Sequence, residues 1–186
     1  MKKTIAIALS VLLFSGSLFS SEKWPENSIY QLESKWKNHL SKELKLEFLG
    51  GSVYILAMVY TGCKHTCPLI ISKLMAIRRA LPKSDQKKIK LVLVSFDSKN
   101  DTPKALASYK EKRGMDDNWV LLTGDRSGIR KLAAILGVSY KEESDGSFLH
   151  SNVFTTIDKN GVIAAKVEEL NGNIEDMVTK IKTILQ

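Results

Sequence analysis

The feature that most constrains this chain is the unbroken apolar run Val53-Tyr54-Ile55-Leu56-Ala57-Met58-Val59-Tyr60, which passes directly into Thr61-Gly62-Cys63-Lys64-His65-Thr66-Cys67-Pro68. A continuous β-branched and aromatic run of this length predicts a central strand buried on both faces. Beyond it, Leu69, Ile70, Leu74, Ile77 and Leu81 recur at helical spacing until Pro82 ends the pattern. Pro68 suits a first helical turn, where its missing N–H costs no hydrogen bond. Both cysteines therefore sit where a buried strand gives way to a helix. That is the sheet edge at which open α/β sheets bind ligands.

The remaining punctuation extends the same architecture. Ile89 to Phe96 reads as a second central strand, and Asp101 or Thr102 as the N-cap of a helix that has Pro103 just inside and runs to Arg113 before Gly114. Trp119 to Leu122 predicts a third strand, and Asp125 to Leu136 a helix closed by Gly137. Phe154 to Asp158 and Val162 to Val167 form a final hairpin turned at Lys159-Asn160-Gly161, with an amphipathic helix from Asn173 to Leu185. Near the N-terminus, a loose alternation from Ser28 to Trp36 and a strand at Leu44 to Phe48 predict a hairpin or an edge extension. The order describes an α/β domain with a mixed central sheet and helices on both faces, the layout of the thioredoxin fold.

The first twenty-one residues stand apart from this pattern. Met1-Lys2-Lys3, an apolar stretch from Ile5 to Phe14 and a small-residue segment from Ser15 to Ser21 follow the order of a secretory signal peptide. The apolar part falls short of the ~20 residues that span a bilayer and is interrupted by Ser10, Ser15 and Gly16. Cleavage is expected, with an uncleaved anchor as the alternative, and no cysteine lies there to carry a lipid. Residues 22–186 then form one domain, large enough for a real core and short for two. The expected address is the periplasm or another extracytoplasmic space. The net charge of +8 includes Lys2 and Lys3 and is spread along the chain without a dense basic run. Nucleic acid is thus not an expected partner.

Two cysteines in an oxidising compartment ordinarily mean one disulfide. Three residues separate Cys63 from Cys67, one more than in a thioredoxin-type dithiol, and the wider pair also suits a two-point metal chelate. The helix start below them predicts thiolate at Cys67 above all, and secondarily at Cys63. His150 is the candidate third ligand. It follows a hairpin in which Tyr140 and Phe148 flank the turn Asp145-Gly146, and it precedes the strand whose entry loop faces the cysteine loop in thioredoxin-like folds. Redox members carry a cis proline there; this chain's prolines are Pro25, Pro68, Pro82 and Pro103. Two thiolates and an imidazole suit Cu(I) and also accept Cu(II). Zinc could use the same donors with a water, but no general base stands beside them. His39 and His65 read as exposed, Met58 as core, and Asp97 as either a turn residue or one that orients the site or docks a partner.

Four segments, in order, carry a resemblance across the mature chain: Tyr60-Thr61-Gly62-Cys63 with Cys67-Pro68; Val94-Ser95-Phe96-Asp97 with Asp101-Thr102-Pro103; Leu121-Leu122-Thr123-Gly124-Asp125; and His150-Ser151 leading to Ile157-Asp158-Lys159-Asn160-Gly161. In them the chain resembles the Sco/SenC family of copper-binding assembly proteins. The resemblance implies a thioredoxin-like fold and one copper ion held by Cys63, Cys67 and His150. It also implies a part in building the dinuclear copper centre of cytochrome c oxidase. The partners would be the copper-accepting oxidase subunit or another exported cuproprotein, together with an upstream copper donor, and the chain would act as a monomer. Such a chaperone has no turnover chemistry. The competing reading is a thiol–disulfide oxidoreductase that keeps the cysteines of an exported cuproprotein reduced, and a copper-dependent redox sensor would share the same residues.

Overall fold

The computed structural model describes residues 24–186; the expected leader lies outside them. The buried run becomes β3 (Val53–Val59), in which every residue is buried. It pairs in parallel with β4 (Ile89–Ser95), which pairs in parallel with β5 (Trp119–Gly124). On the other side β3 meets β8 (Val153–Ile157) antiparallel, and β8 meets β9 (Ile163–Glu168) antiparallel. With β1 (Trp36–Asn38) and β2 (Glu43–Leu44) at the far edge, the seven-stranded order is β2-β1-β5-β4-β3-β8-β9. This is the mixed sheet of a thioredoxin-like fold.

The helices follow their local signals. α1 (Thr66–Arg79) buries Cys67, Ile70, Leu74 and Ile77 and leaves Leu69 exposed. A short α2 (Lys83–Gln86), not expected from periodicity, follows Pro82. α3 (Pro103–Lys112) is capped by Thr102, whose hydroxyl accepts from the Ala105 N–H, so of the two cap candidates Thr102 serves and Asp101 is released for another task. α4 (Arg126–Leu136) is capped by Asp125 and ends on Gly137 at φ +74°, the left-handed conformation glycine adopts without steric cost. α5 (Glu175–Leu185) packs Met177, Val178 and Ile181 inward. Among the described residues no helix is long and apolar enough to cross a membrane.

The N-terminal expectations need correction in detail. The hairpin exists as β1 and β2, and as an edge extension it joins the main sheet by pairing β1 antiparallel with β5. The strand expected over Leu44 to Phe48 stops at Leu44, and Leu46–Leu49 form a 3-10 turn. The reason is spacing: Leu46 and Leu49 are the buried residues while Phe48 faces outward. A three-residue interval suits a 3-10 turn and not a strand's alternation. The upstream alternation likewise resolves into a 3-10 turn at Ile29–Gln31, with consecutive Ile29 and Tyr30 buried.

Candidate metal centre

Cys63 and Cys67 emerge from the end of β3 and the first turn of α1, as their sequence context dictates. His150 arrives from the separate two-stranded sheet of β6 (Tyr140–Glu142) and β7 (Phe148–His150), where Tyr140 pairs opposite His150. The turn between them holds Gly146 at φ +80°, and the Asp145 carboxylate accepts from the Ser147 N–H at 2.9 Å. One donor atom from each of Cys63, Cys67 and His150 lies within 4.8 Å of the others. The three sequence candidates are thus brought together although more than 80 residues separate Cys67 from His150 in the chain.

An aromatic clamp sets the hairpin against the sheet. Phe96, just past β4, stacks on Tyr140 at 5.2 Å between centroids and packs on Phe148 at 5.1 Å. Tyr60, just past β3, also meets Phe148 at 5.1 Å. The His150 ring leans on Phe96 at 5.1 Å and meets Tyr60 edge-on at 6.4 Å. Its Nδ1 lies 3.1 Å from the Ser151 carbonyl. A carbonyl oxygen only accepts, so this contact belongs to the tautomer with its hydrogen on Nδ1, which leaves the Nε2 lone pair free; the other tautomer frees Nδ1 instead. Tyr140 and Phe148 stood out in the sequence only as flanks of a turn; their apolar character in an otherwise polar hairpin was the available sign of this clamp.

The two thiols differ, in the reverse of the expected order. Burial works to raise the Cys63 pKa, but the Cys67 N–H at 3.3 Å, the Cys67 thiol and the N–H groups of His65 and Thr66 outweigh it and hold Cys63 below the ordinary thiol value. Cys67 is pushed far above it, because burial dominates; it is fully enclosed, and its hydrogen bond to Cys63 and the Cys63 charge add to the effect. The helix start serves Cys63, whose sulfur receives the N–H groups, while Cys67 is turned into the core.

Asp101, the cap candidate that does not cap α3, braces the cysteine loop instead. Its buried carboxylate, 40 positions from the cysteine loop, accepts the Thr61 N–H at 2.9 Å, the Thr61 hydroxyl, and the Ser95 hydroxyl at 2.5 Å. Ser95 Oγ in turn accepts the Asp97 N–H at 3.0 Å. Burial raises the Asp101 pKa against the pull of these hydrogen bonds. Asp97 makes turn contacts, accepting from the Asn100 N–H at 3.0 Å and the Asn100 side chain at 2.8 Å. It is not one of the three converging donors, although it lines a cleft of about 330 Å³ with Tyr60, Thr61 and Gly62. His65 is exposed as expected. His39 is not: it is half-buried, and its Nδ1 accepts the Leu121 N–H at 3.3 Å, because β1 pairs with β5.

The SCO1/SenC family model matches residues 27–186. The chain belongs to the SCO1/SenC family. A SCO1 homologue of Bacillus subtilis is 24% identical over 160 residues, covering 83% of this chain and 82% of that protein. Among solved structures, a SCO1/SenC family lipoprotein from Bacillus anthracis superposes with a TM-score of 0.73 at 25% identity, over 83% of this chain and 95% of the other. Arabidopsis thaliana ScoI with copper bound gives a TM-score of 0.71 at 21% identity, over 81% and 96%. Cys63, Cys67 and His150 are a group that could hold a metal ion, and two sulfurs with one imidazole make a soft set of donors.

Proposed function

We propose that this protein is an extracytoplasmic copper chaperone. It takes one copper ion on Cys63 Sγ, Cys67 Sγ and His150, and passes it to the copper-accepting subunit of cytochrome c oxidase or another exported cuproprotein. The observation that carries the reading is the convergence of two sulfurs and a ring nitrogen within 4.8 Å. A soft set of this kind suits Cu(I). His150 is only partly buried and sits on a hairpin outside the main sheet, so a partner reaches it first and displaces it before the two buried sulfurs. The domain spans residues 22–186 behind a leader that directs export. The test is anaerobic Cu(I) titration of the reduced domain, following bound metal together with free thiols. Stoichiometric binding that falls sharply in Cys63→Ser, Cys67→Ser and His150→Ala is expected; near-native affinity in His150→Ala overturns the three-donor site.

The unequal thiols favour one further reading. Cys63, its pKa lowered by the N–H groups around its sulfur, and the fully enclosed Cys67, its pKa raised by burial, divide the roles of attacking and resolving thiol. The Cys63 thiolate attacks a partner's disulfide and displaces one partner thiolate. Cys67, giving up its proton, then displaces the second, leaving Cys63–Cys67 oxidised and the partner reduced by two electrons. This activity needs both cysteines and tolerates His150→Ala, which separates it from copper delivery.

A further inference from the structure

A second cleft, of about 510 Å³, lies on the flank of the cysteine loop, lined by Thr61, Ala105, Ser108, Tyr109, Lys112 and Arg113. Its wall holds two cations and no carboxylate. The larger cleft beside Phe96 and Tyr140 is different: there Arg126 pairs with Glu142 and Lys141 with Glu143. Among the described residues no salt bridge engages Lys112 or Arg113.

The Arg113 guanidinium lies 4.4 Å from the centroid of the Tyr109 ring, and Tyr109 itself is only 8% exposed. A guanidinium seated on a buried ring is held in place while its in-plane N–H fork remains open to an acceptor. That fork matches a carboxylate with two parallel hydrogen bonds. Lys112 adds a second charge on a flexible stem, and Ser108 a hydroxyl. Thr61 lines the same cleft, held by Asp101 and two residues before Cys63, so the cysteine loop borders it. The volume falls within the ~300–1,000 Å³ of small-molecule sites.

We propose that this cleft binds a small carboxylate-bearing thiol, with its carboxylate on Arg113 and Lys112 and its sulfur directed to the metal centre. The sulfur end rests on the copper reading, since a soft ion takes thiolate as an added ligand; the carboxylate end does not, and the two are tested apart. The first probe is S-methylglutathione, which has carboxylates and no free thiol, titrated into the metal-free reduced domain and followed by amide NMR. Expected are shifts confined to Thr61, Ser108, Tyr109, Lys112 and Arg113, and an affinity that falls about tenfold or more in Lys112→Ala/Arg113→Ala and partly in Arg113→Lys. Lys99→Ala, in the other cleft, should leave it unchanged. Shifts scattered over the surface, no binding, or equal affinity in the double variant overturn the site. The second probe is reduced glutathione on the copper-loaded domain. Tighter binding than the S-methyl form supports the sulfur assignment, and equal binding overturns it. Failure of the domain to take up copper refutes the copper reading while leaving the first result standing.

Discussion

Replacing Asp101 with alanine tests whether a carboxylate outside the donor set holds the cysteine loop in place. The side chain is buried and accepts three hydrogen bonds, two from Thr61 and one from Ser95. At about 1 kcal/mol net for each, their loss removes roughly 3 kcal/mol, and the Thr61 N–H left without its acceptor adds a desolvation cost of about 1–3 kcal/mol. Against this stands relief of the buried charge, which the raised Asp101 pKa reveals. The balance is a destabilisation of about 2–4 kcal/mol, in the range of mutations that break a buried network. Asp101→Asn retains the shape and one acceptor oxygen, and should lose only about 1 kcal/mol. Urea unfolding measures both: the alanine variant's midpoint should fall by about 1 M or more at unchanged slope. Copper affinity should fall in Asp101→Ala with all three donors intact. An alanine variant within about 0.5 kcal/mol of wild type at unchanged slope would refute the brace.

The thiol asymmetry predicts that iodoacetamide alkylates Cys63 first, with a rate that rises through a midpoint below the ordinary 9.0, while Cys67 reacts only at much higher pH; mass mapping that finds Cys67 modified first would reverse the assignment. Burial, and then the charge of Lys110, lower the His39 pKa from 6.5 despite its bond to Leu121. Its stabilising contribution is therefore complete above 6.5 and lost as pH falls through the folded value. Midpoints measured from pH 7 down to about 5 should decline less steeply in His39→Gln than in wild type. Gly161 sits at φ +80°, where an added Cβ would run into the Ser28 hydroxyl and the Tyr30 ring, so Gly161→Ala should cost about 1–3 kcal/mol in urea unfolding. An unchanged midpoint would show that this turn yields freely.

Much of the molecule was legible because its signals are local. The run from Val53 to Tyr60 announced a central strand, Asp125 and Gly137 bracketed α4, and the cysteine spacing with the His150-Ser151 motif named three residues that the structure gathers. Residues near one another in the chain carry caps, turns and periodicity within themselves, so the sequence by itself determined the order of the main strands and helices, the family and the three residues that converge. Only the tertiary structure decided the surroundings of those residues. Cys67 is the weaker acid because packing encloses it, and Asp101 braces the cysteine loop because β3 and β4 lie side by side. The His39 pKa is lowered because β1 closes on β5 and buries the ring, and Leu46 and Leu49 take a 3-10 turn because both must reach the core. Solvation and long-range hydrogen bonds depend on which surfaces meet, and that is a property of the packed chain, absent from any single stretch of it.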